Sequence, residues 1–376
     1  MKILLAPDKF RGSLTALDVC NAMRDGILAA SPTAEVIAIP MADGGEGTAE
    51  ILTQDADGFF VETEVMDPLW RPIRANFGMT PNRQTAFLEM ASASGLKLLS
   101  LEERSPLKTS TYGTGELIVE AIEAGAKHII LGIGGSATTD AGIGMAAALG
   151  WHFRDKTGNE LAPIGENLLH IEQIIPPESP LIDVTIDVAC DVTAPLFGPS
   201  GAAYVYGPQK GADEAAVKTL DAGLQHLSAV IQRDFGIDLA HQPGTGAAGG
   251  LGFGLLFFLK ANLKEGVKIV MEQTHFEEQL VGVDLVFTGE GKMDEQTLQG
   301  KLIAGIARAA KERNIPVIAL CGTLLLTTHD IQSLGLSYAR SILPRPMALP
   351  EAIEYAYQGV KETSHSLVSL LTLLQQ

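Results

Sequence analysis

Several short clusters in this chain bring acids, cations and glycines together at spacings that suit chemistry on an anionic substrate. Asp8-Lys9-Phe10-Arg11-Gly12-Ser13 offers two cations that fit a carboxylate or phosphate, while Ser13 also suits a helix cap. Asp43-Gly44-Gly45-Glu46-Gly47-Thr48 sets two carboxylates among glycines that let backbone approach a ligand. Those acids can hold Mg²⁺ or orient a polar substrate, or Asp43 or Glu46 can simply cap the next helix. Asp187-Val188-Ala189-Cys190-Asp191-Val192-Thr193 ends an apolar run with an acid, suited to accepting a hydroxyl proton or binding a metal, or to bonding a turn. Thr288-Gly289-Glu290-Gly291-Lys292-Met293-Asp294 pairs possible metal ligands, Glu290 and Asp294, with Lys292 for a phosphate, and Lys301 follows.

Three further stretches are glycine-rich. Gly132-Ile133-Gly134-Gly135-Ser136-Ala137-Thr138-Thr139-Asp140 permits two ligand readings. With Asp155 it imitates a dinucleotide fingerprint; alone it is a phosphate cradle at a helix amino end, the reading favoured here over a plain packing turn. Gly244–Gly252 suggests another anion nest before a core helix, and Lys210 in Tyr206–Gly211 suits a phosphate or a surface turn. No G-x-x-x-x-G-K-[ST] loop, zinc spacing or G-x-S-x-G elbow is present. Glycine loops, acids for a divalent cation and scattered cations together fit phosphoryl transfer, which depends mostly on positioning and charge stabilisation.

The elements that must position these clusters follow from periodicity. Strands are expected at Ile3–Ala6 and Glu35–Met41, with a helix over Leu14–Ala30 and another starting near Glu46. Alternation from Phe59 to Met90 suits antiparallel hairpins. β-α alternation resumes with strands at Asp284–Thr288, Pro316–Gly322 and Tyr338–Leu343, a helix at Lys301–Lys311 and a long helix from Pro350. The expected fold is therefore α/β in two domains. Residues 1–58 and 282–376 would form a split Rossmann-like parallel-sheet domain, and 59–281 an inserted mixed-sheet α/β domain.

Bulk composition narrows the function. With 376 residues, 45 acidic and 27 basic, the net charge is −18, which argues against a general nucleic-acid binder or an anionic-membrane partner. Three dispersed cysteines give no disulfide framework, and no apolar run reaches spanning length. A soluble cytoplasmic protein is expected. The carboxyl-terminal helix reads as core, although a homodimer stays open.

The ordered series of motifs resembles the type 1 glycerate kinases. It runs through Pro7-Asp8, Gly12-Ser13-Leu14, Ala42–Thr48, Glu89-Met90-Ala91, Ala93-Ser94-Gly95-Leu96, Gly113–Leu117, Gly132–Thr138, Ala189–Thr193, Gly207–Ala212, Gly246–Gly250 and Thr288–Gly291. The family commonly has Ser and Lys at Lys9 and Arg11, Asn at Thr139 and Ala194, and often Arg at Lys292. The resemblance implies two α/β domains with the active site in their cleft. It also implies an enzyme that uses ATP and Mg²⁺ to phosphorylate D-glycerate at its 2-hydroxyl. Asp191, Asp43 and Lys292 are then the catalytic candidates, Asp191 being the base. Asp8, Lys9, Arg11, Ser13, Glu46 and Ser94 would bind substrate. Gly134, Gly135, Ser136, Thr138, Lys210, Gly249, Gly250, Gly289, Glu290 and Lys301 would bind nucleotide phosphates, and Asp191, Glu290 and Asp294 the metal. An NAD(P)-dependent hydroxy-acid dehydrogenase and a non-catalytic sugar-acid sensor are the competing readings.

Overall fold

The structure is a computed structural model and describes residues 1–178, 183–299 and 301–374. It divides into two compact units, Met1–Asp43 with Val267–Gln376, and Gly44–Gly266. In chain order, the first unit opens with β1 (Lys2–Pro7) and β2 (Glu35–Ala38). The second takes β3 (Phe59–Met66), β4 (Pro72–Met79), β5 (Thr85–Glu89) and β6 (His128–Gly132). It continues with β7 (His152–Arg154), β8 (Gln173–Ile175), β9 (Thr185–Ala189) and β10 (Asn262–Lys264). The first unit resumes with β11 (Leu285–Met293), β12 (Val317–Leu324) and β13 (Tyr338–Ser341).

The first unit is built on a five-stranded sheet of order β13-β12-β11-β1-β2, parallel throughout. Its central strands are continuously buried over residues 3–7 and 285–289, and continuous burial is what a parallel strand covered on both faces requires. The helix Ala16–Ala30 starts two residues later than its apolar spacing suggests. Thr15 accepts from Asp18 N–H while the Asp18 carboxylate accepts from Thr15 N–H, so this capping box, not Ser13, sets its beginning. That helix packs on the long helix Leu349–Leu374, whose buried stripe runs through Ala356, Val360, Ser364 and Val368. Leu370 and Leu374 of this helix, expected as core, are exposed.

The second unit carries a six-stranded mixed sheet of order β10-β9-β6-β5-β4-β3. Strands β10, β9, β6 and β5 run parallel, and β4 and β3 add the expected antiparallel hairpins. β7 and β8 form a separate antiparallel pair.

The unit edges fall elsewhere than at 58/59 and 281/282. Helix Thr48–Asp55 belongs to the second unit, where its Thr53 fills the space a side chain at Gly78 would need, 1.6 Å from an added β-carbon. Val267 of the following helix packs on Gly305 in the first unit. The β-α rhythm continues across the first crossing, so only the packing partner reveals the change.

Helix Ala16–Ala30 can approach its neighbour because Gly26 has no β-carbon; one would stand 2.1 Å from the Lys361 carbonyl oxygen. Gly26→Ala is expected to destabilise the protein by about 1–3 kcal/mol through this overlap. A urea-unfolding midpoint equal to the parent's would show that the helices can separate at no cost.

Candidate active site

In open α/β sheets, ligands bind beyond the carboxyl ends of the strands. At that edge of the first unit, β1 gives way to Asp8, whose N–H donates to Gly289 O at 2.8 Å. Asp43 follows β2 nearby in the same unit, with the Arg11 guanidinium 4.0 Å from its carboxylate. Burial raises the Asp8 carboxyl pKa from 3.8 to about 7; Asp43 and Glu290 add to the rise, and the Lys9 N–H and charge oppose it. Ser13 Oγ donates to Phe10 O at 3.1 Å, which stabilises the Asp8–Ser13 turn.

The segment after Thr288 is not the loop its glycines suggest. β11 runs on to Met293, in register with β12 at Lys292↔Thr323 and Met293↔Leu324. Gly289 and Gly291 serve close packing: a β-carbon at Gly289 would lie 2.1 Å from Leu320 O, and one at Gly291 3.2 Å from Arg11 N. Strand alternation sets Glu290 and Lys292 on a common face. Glu290 accepts from Thr297 Oγ1 at 2.6 Å, and burial still raises its pKa. Asp294 is committed on both oxygens, one to the Lys292 ammonium at 2.6 Å and one to Gln296 N–H at 2.9 Å. The Lys292 bond holds its carboxyl below the usual range. Among the described residues no three His, Cys, Asp or Glu side chains gather as a metal site. Lys301 opens a helix, and its side chain lies outside the described residues.

At the corresponding edge of the second unit, the turn at Gly44 (φ +83°) packs on Ala189 and Gly266 too closely for any β-carbon. Neither Asp43 nor Glu46 caps helix Thr48–Asp55. Glu89, at the end of β5, accepts from Gly47 N–H at 2.7 Å and Ala49 N–H at 3.1 Å, placing negative charge at the helix amino end. Glu89 falls within the Glu89-Met90-Ala91 motif, and its position as an acid ending a strand is the sequence signal for this role. Glu46 is exposed and ion-paired to Lys97. Asp191 is half-buried just past β9, with Oδ1 accepting from Gly266 N–H at 3.2 Å.

The Gly132–Asp140 loop leaves β6 with Gly134 and Gly135 exposed and Thr138, Thr139 and Asp140 buried. Ser136 is 8% exposed. Ser94 does not reach outward: its hydroxyl is buried and bonded to Thr114 Oγ1 at 2.7 Å, while its carbonyl accepts from Ala137 N–H. Asp140 Oδ2 accepts from Thr111 N–H and Thr111 Oγ1, each at 2.7 Å. Lys210 is no surface group; it is 1% exposed, and its ammonium donates to Thr138 O at 2.5 Å. Burial pulls its pKa to about 7, against the pull of Asp140.

Gly249 and Gly250 pack against this loop. A β-carbon on Gly249 would stand 2.0 Å from Thr138 O, and one on Gly250 2.9 Å from Ala141 Cα. Ala248, Gly249 and Gly250 all have positive φ, so the expected core helix begins after a left-handed turn.

A model described as the glycerate kinase family matches residues 3–372. The chain belongs to the glycerate kinase family. It is 42% identical to a glycerate kinase of Bacillus subtilis, over 99% of this chain and 98% of that protein. It is also 42% identical to a glycerate 2-kinase of Escherichia coli K12, over 99% and 98%. A crystal structure named for glycerate kinase 2 of Salmonella typhimurium LT2 superposes with a TM-score of 0.91 at 42% identity, covering 100% of this chain and 99% of that one.

Membership of the glycerate kinase family agrees with the fate of the dinucleotide fingerprint. Asp155 is not at a parallel strand end beside the Gly132 loop. It lies in the exposed β7–β8 hairpin region, bonded to Thr157 and Asn159, so the β-α-β unit that a Rossmann fingerprint needs is missing there. No helix among the described residues is long and apolar enough to cross a membrane.

Asp8 gives a pH test. Folding moves its pKa from 3.8 to about 7, so the folded state binds more protons in that window and loses stability as pH rises through it. In buffer without divalent cations, Asp8→Asn is expected to raise Tm by several degrees at pH 8 and by clearly less at pH 5. Equal shifts at both values would mean that Asp8 ionises normally.

Proposed function

We propose that the protein is a glycerate 2-kinase, transferring the γ-phosphoryl group of ATP to the 2-hydroxyl of D-glycerate. The observation that carries this reading is the family match along nearly the whole chain, joined to glycine turns and carboxylates at the carboxyl edge of each parallel set of strands. The E. coli relative is named a glycerate 2-kinase, which favours the 2-hydroxyl.

In the proposed reaction, the substrate oxygen attacks the γ-phosphorus in line, the bond to ADP breaks, and the hydroxyl proton passes to a carboxylate. Asp191 is the assigned acceptor, held in place by the Gly266 N–H. Arg11 and Lys9 are assigned to the glycerate carboxylate, with Asp8, Asp43 and Ser13 as its polar surroundings in the first unit. Gly134, Gly135 and Ser136 offer phosphates an open loop tip with no bulky side chain. Lys292 and Lys301 are assigned to phosphate charge.

The donor chemistry fits Mg²⁺. This ion is usually held by one or two carboxylates plus substrate phosphates and water, so a three-ligand protein cage is not required. Glu290 is the carboxylate that would hold it; Asp294 is already occupied by Lys292 and Gln296. When bound, the ion neutralises charge on the phosphates.

The protein is expected to release ADP from ATP and Mg²⁺ only when D-glycerate is added; no release would exclude the kinase reading for this acceptor. Asp191→Asn should lower kcat by about 10²–10⁴-fold with little change in ATP affinity. An unaltered kcat would remove Asp191 from proton transfer.

A further inference from the structure

The mechanism above leaves a fully buried lysine without a task. Lys210 ends the short turn Pro208–Lys210, which is fixed by the left-handed Gly211 (φ +91°), where a β-carbon would strike Arg104 O at 2.4 Å. Burying an ammonium group is costly unless it is bonded and compensated. Among the described residues the compensation comes from the Gly132–Asp140 loop, through the Thr138 carbonyl and the charge of Asp140.

The loop carbonyls show what this bond accomplishes. Gly135 O accepts from Leu96 N–H at 2.8 Å, Ala137 O from Thr109 Oγ1 at 3.0 Å, and Thr138 O from Lys210 at 2.5 Å. In a trans peptide the C=O and the next N–H point in opposite directions. Three carbonyls drawn to the body of the unit therefore turn the N–H groups of Ser136, Thr138 and Thr139 to the loop's other side. The hydroxyls of Thr138 and Thr139 are buried without a partner among the described residues. Asp140 anchors the end of the loop to two helix starts, through Thr111 and through the N–H groups of Gly142 and Gly144.

We infer that Lys210 is a positioning residue: by holding the Thr138 carbonyl it fixes the peptide planes of the Gly134–Thr139 segment in the orientation that receives a nucleotide phosphate. The inference rests on the reading of that loop as the phosphate cradle. Lys210 touches the loop and not the substrate. Replacing it should change how well the loop receives phosphate more than it changes other ligand contacts.

The test is equilibrium binding of ADP and of D-glycerate to the purified full-length protein, well below its melting temperature. Lys210→Met removes the donor at similar length and is expected to raise the Kd for ADP about tenfold or more, while that for D-glycerate stays within about twofold. Lys210→Gln keeps an amide donor and should recover most of the ADP affinity; if the Met variant does not fold, Lys210→Leu takes its place with the same expected loss. Equal weakening for both ligands, or no change in ADP affinity in either variant, would overturn the inference. Gly134→Asp, at the exposed loop tip, separates the two levels. If it leaves ADP binding intact, the loop is not the phosphate cradle. If it weakens ADP binding while Lys210→Met does not, the cradle stands and the role of Lys210 falls.

Discussion

The arrangement of the second unit depends on one buried carboxylate. Asp140 is wholly removed from water, and its desolvation raises its pKa, yet it accepts hydrogen bonds from Thr111, Gly142 and Gly144. Those donors belong to the approaches of helices Tyr112–Glu123 and Ile143–Ala148, whose amino ends favour negative charge. Thr111 Oγ1 extends the network by accepting from Met145 N–H at 2.8 Å. One side chain thus fixes two helices and the end of the glycine loop that leaves β6. The buried Lys210 and the bare backbone at Gly249 complete the seat on which that loop rests.

The first unit meets a different constraint. Burial raises the pKa values of Asp8 and Glu290 at one sheet edge, and the neighbouring charge of Asp43 adds to both rises. Arg11 offsets part of that charge from 4.0 Å. An edge with excess negative charge suits a cation.

Much of this was legible in the residues. The β-α rhythm at each end of the chain, the alternation of Val61, Thr63 and Val65, and the glycine clusters all reflect local backbone demands, and they led to the observed parallel and mixed sheets. What escaped depends on distant partners. Gly289 and Gly291 looked like a loop because glycine is usually a turn residue, but here they admit neighbouring backbone to an extended strand. Lys210 reads as a phosphate-binding or surface group because its type is charged, and Ser94 enters only through the family motif; the burial of both is decided by elements far away in sequence. Glu89 caps a helix more than 30 residues before it, a relation no local pattern records. Arg11, Asp8 and Asp191 do stand at strand ends, as their positions after apolar runs suggest.

The central claim is the position of the phosphoryl group on the product. The most direct measurement incubates the protein with ATP, Mg²⁺ and D-glycerate, then adds enolase without phosphoglycerate mutase and follows phosphoenolpyruvate. Prompt formation equal to the ADP released is the expected result, since enolase accepts only the 2-phosphate directly. ADP release with no phosphoenolpyruvate until mutase is added would contradict the account and place the phosphoryl group on the 3-hydroxyl.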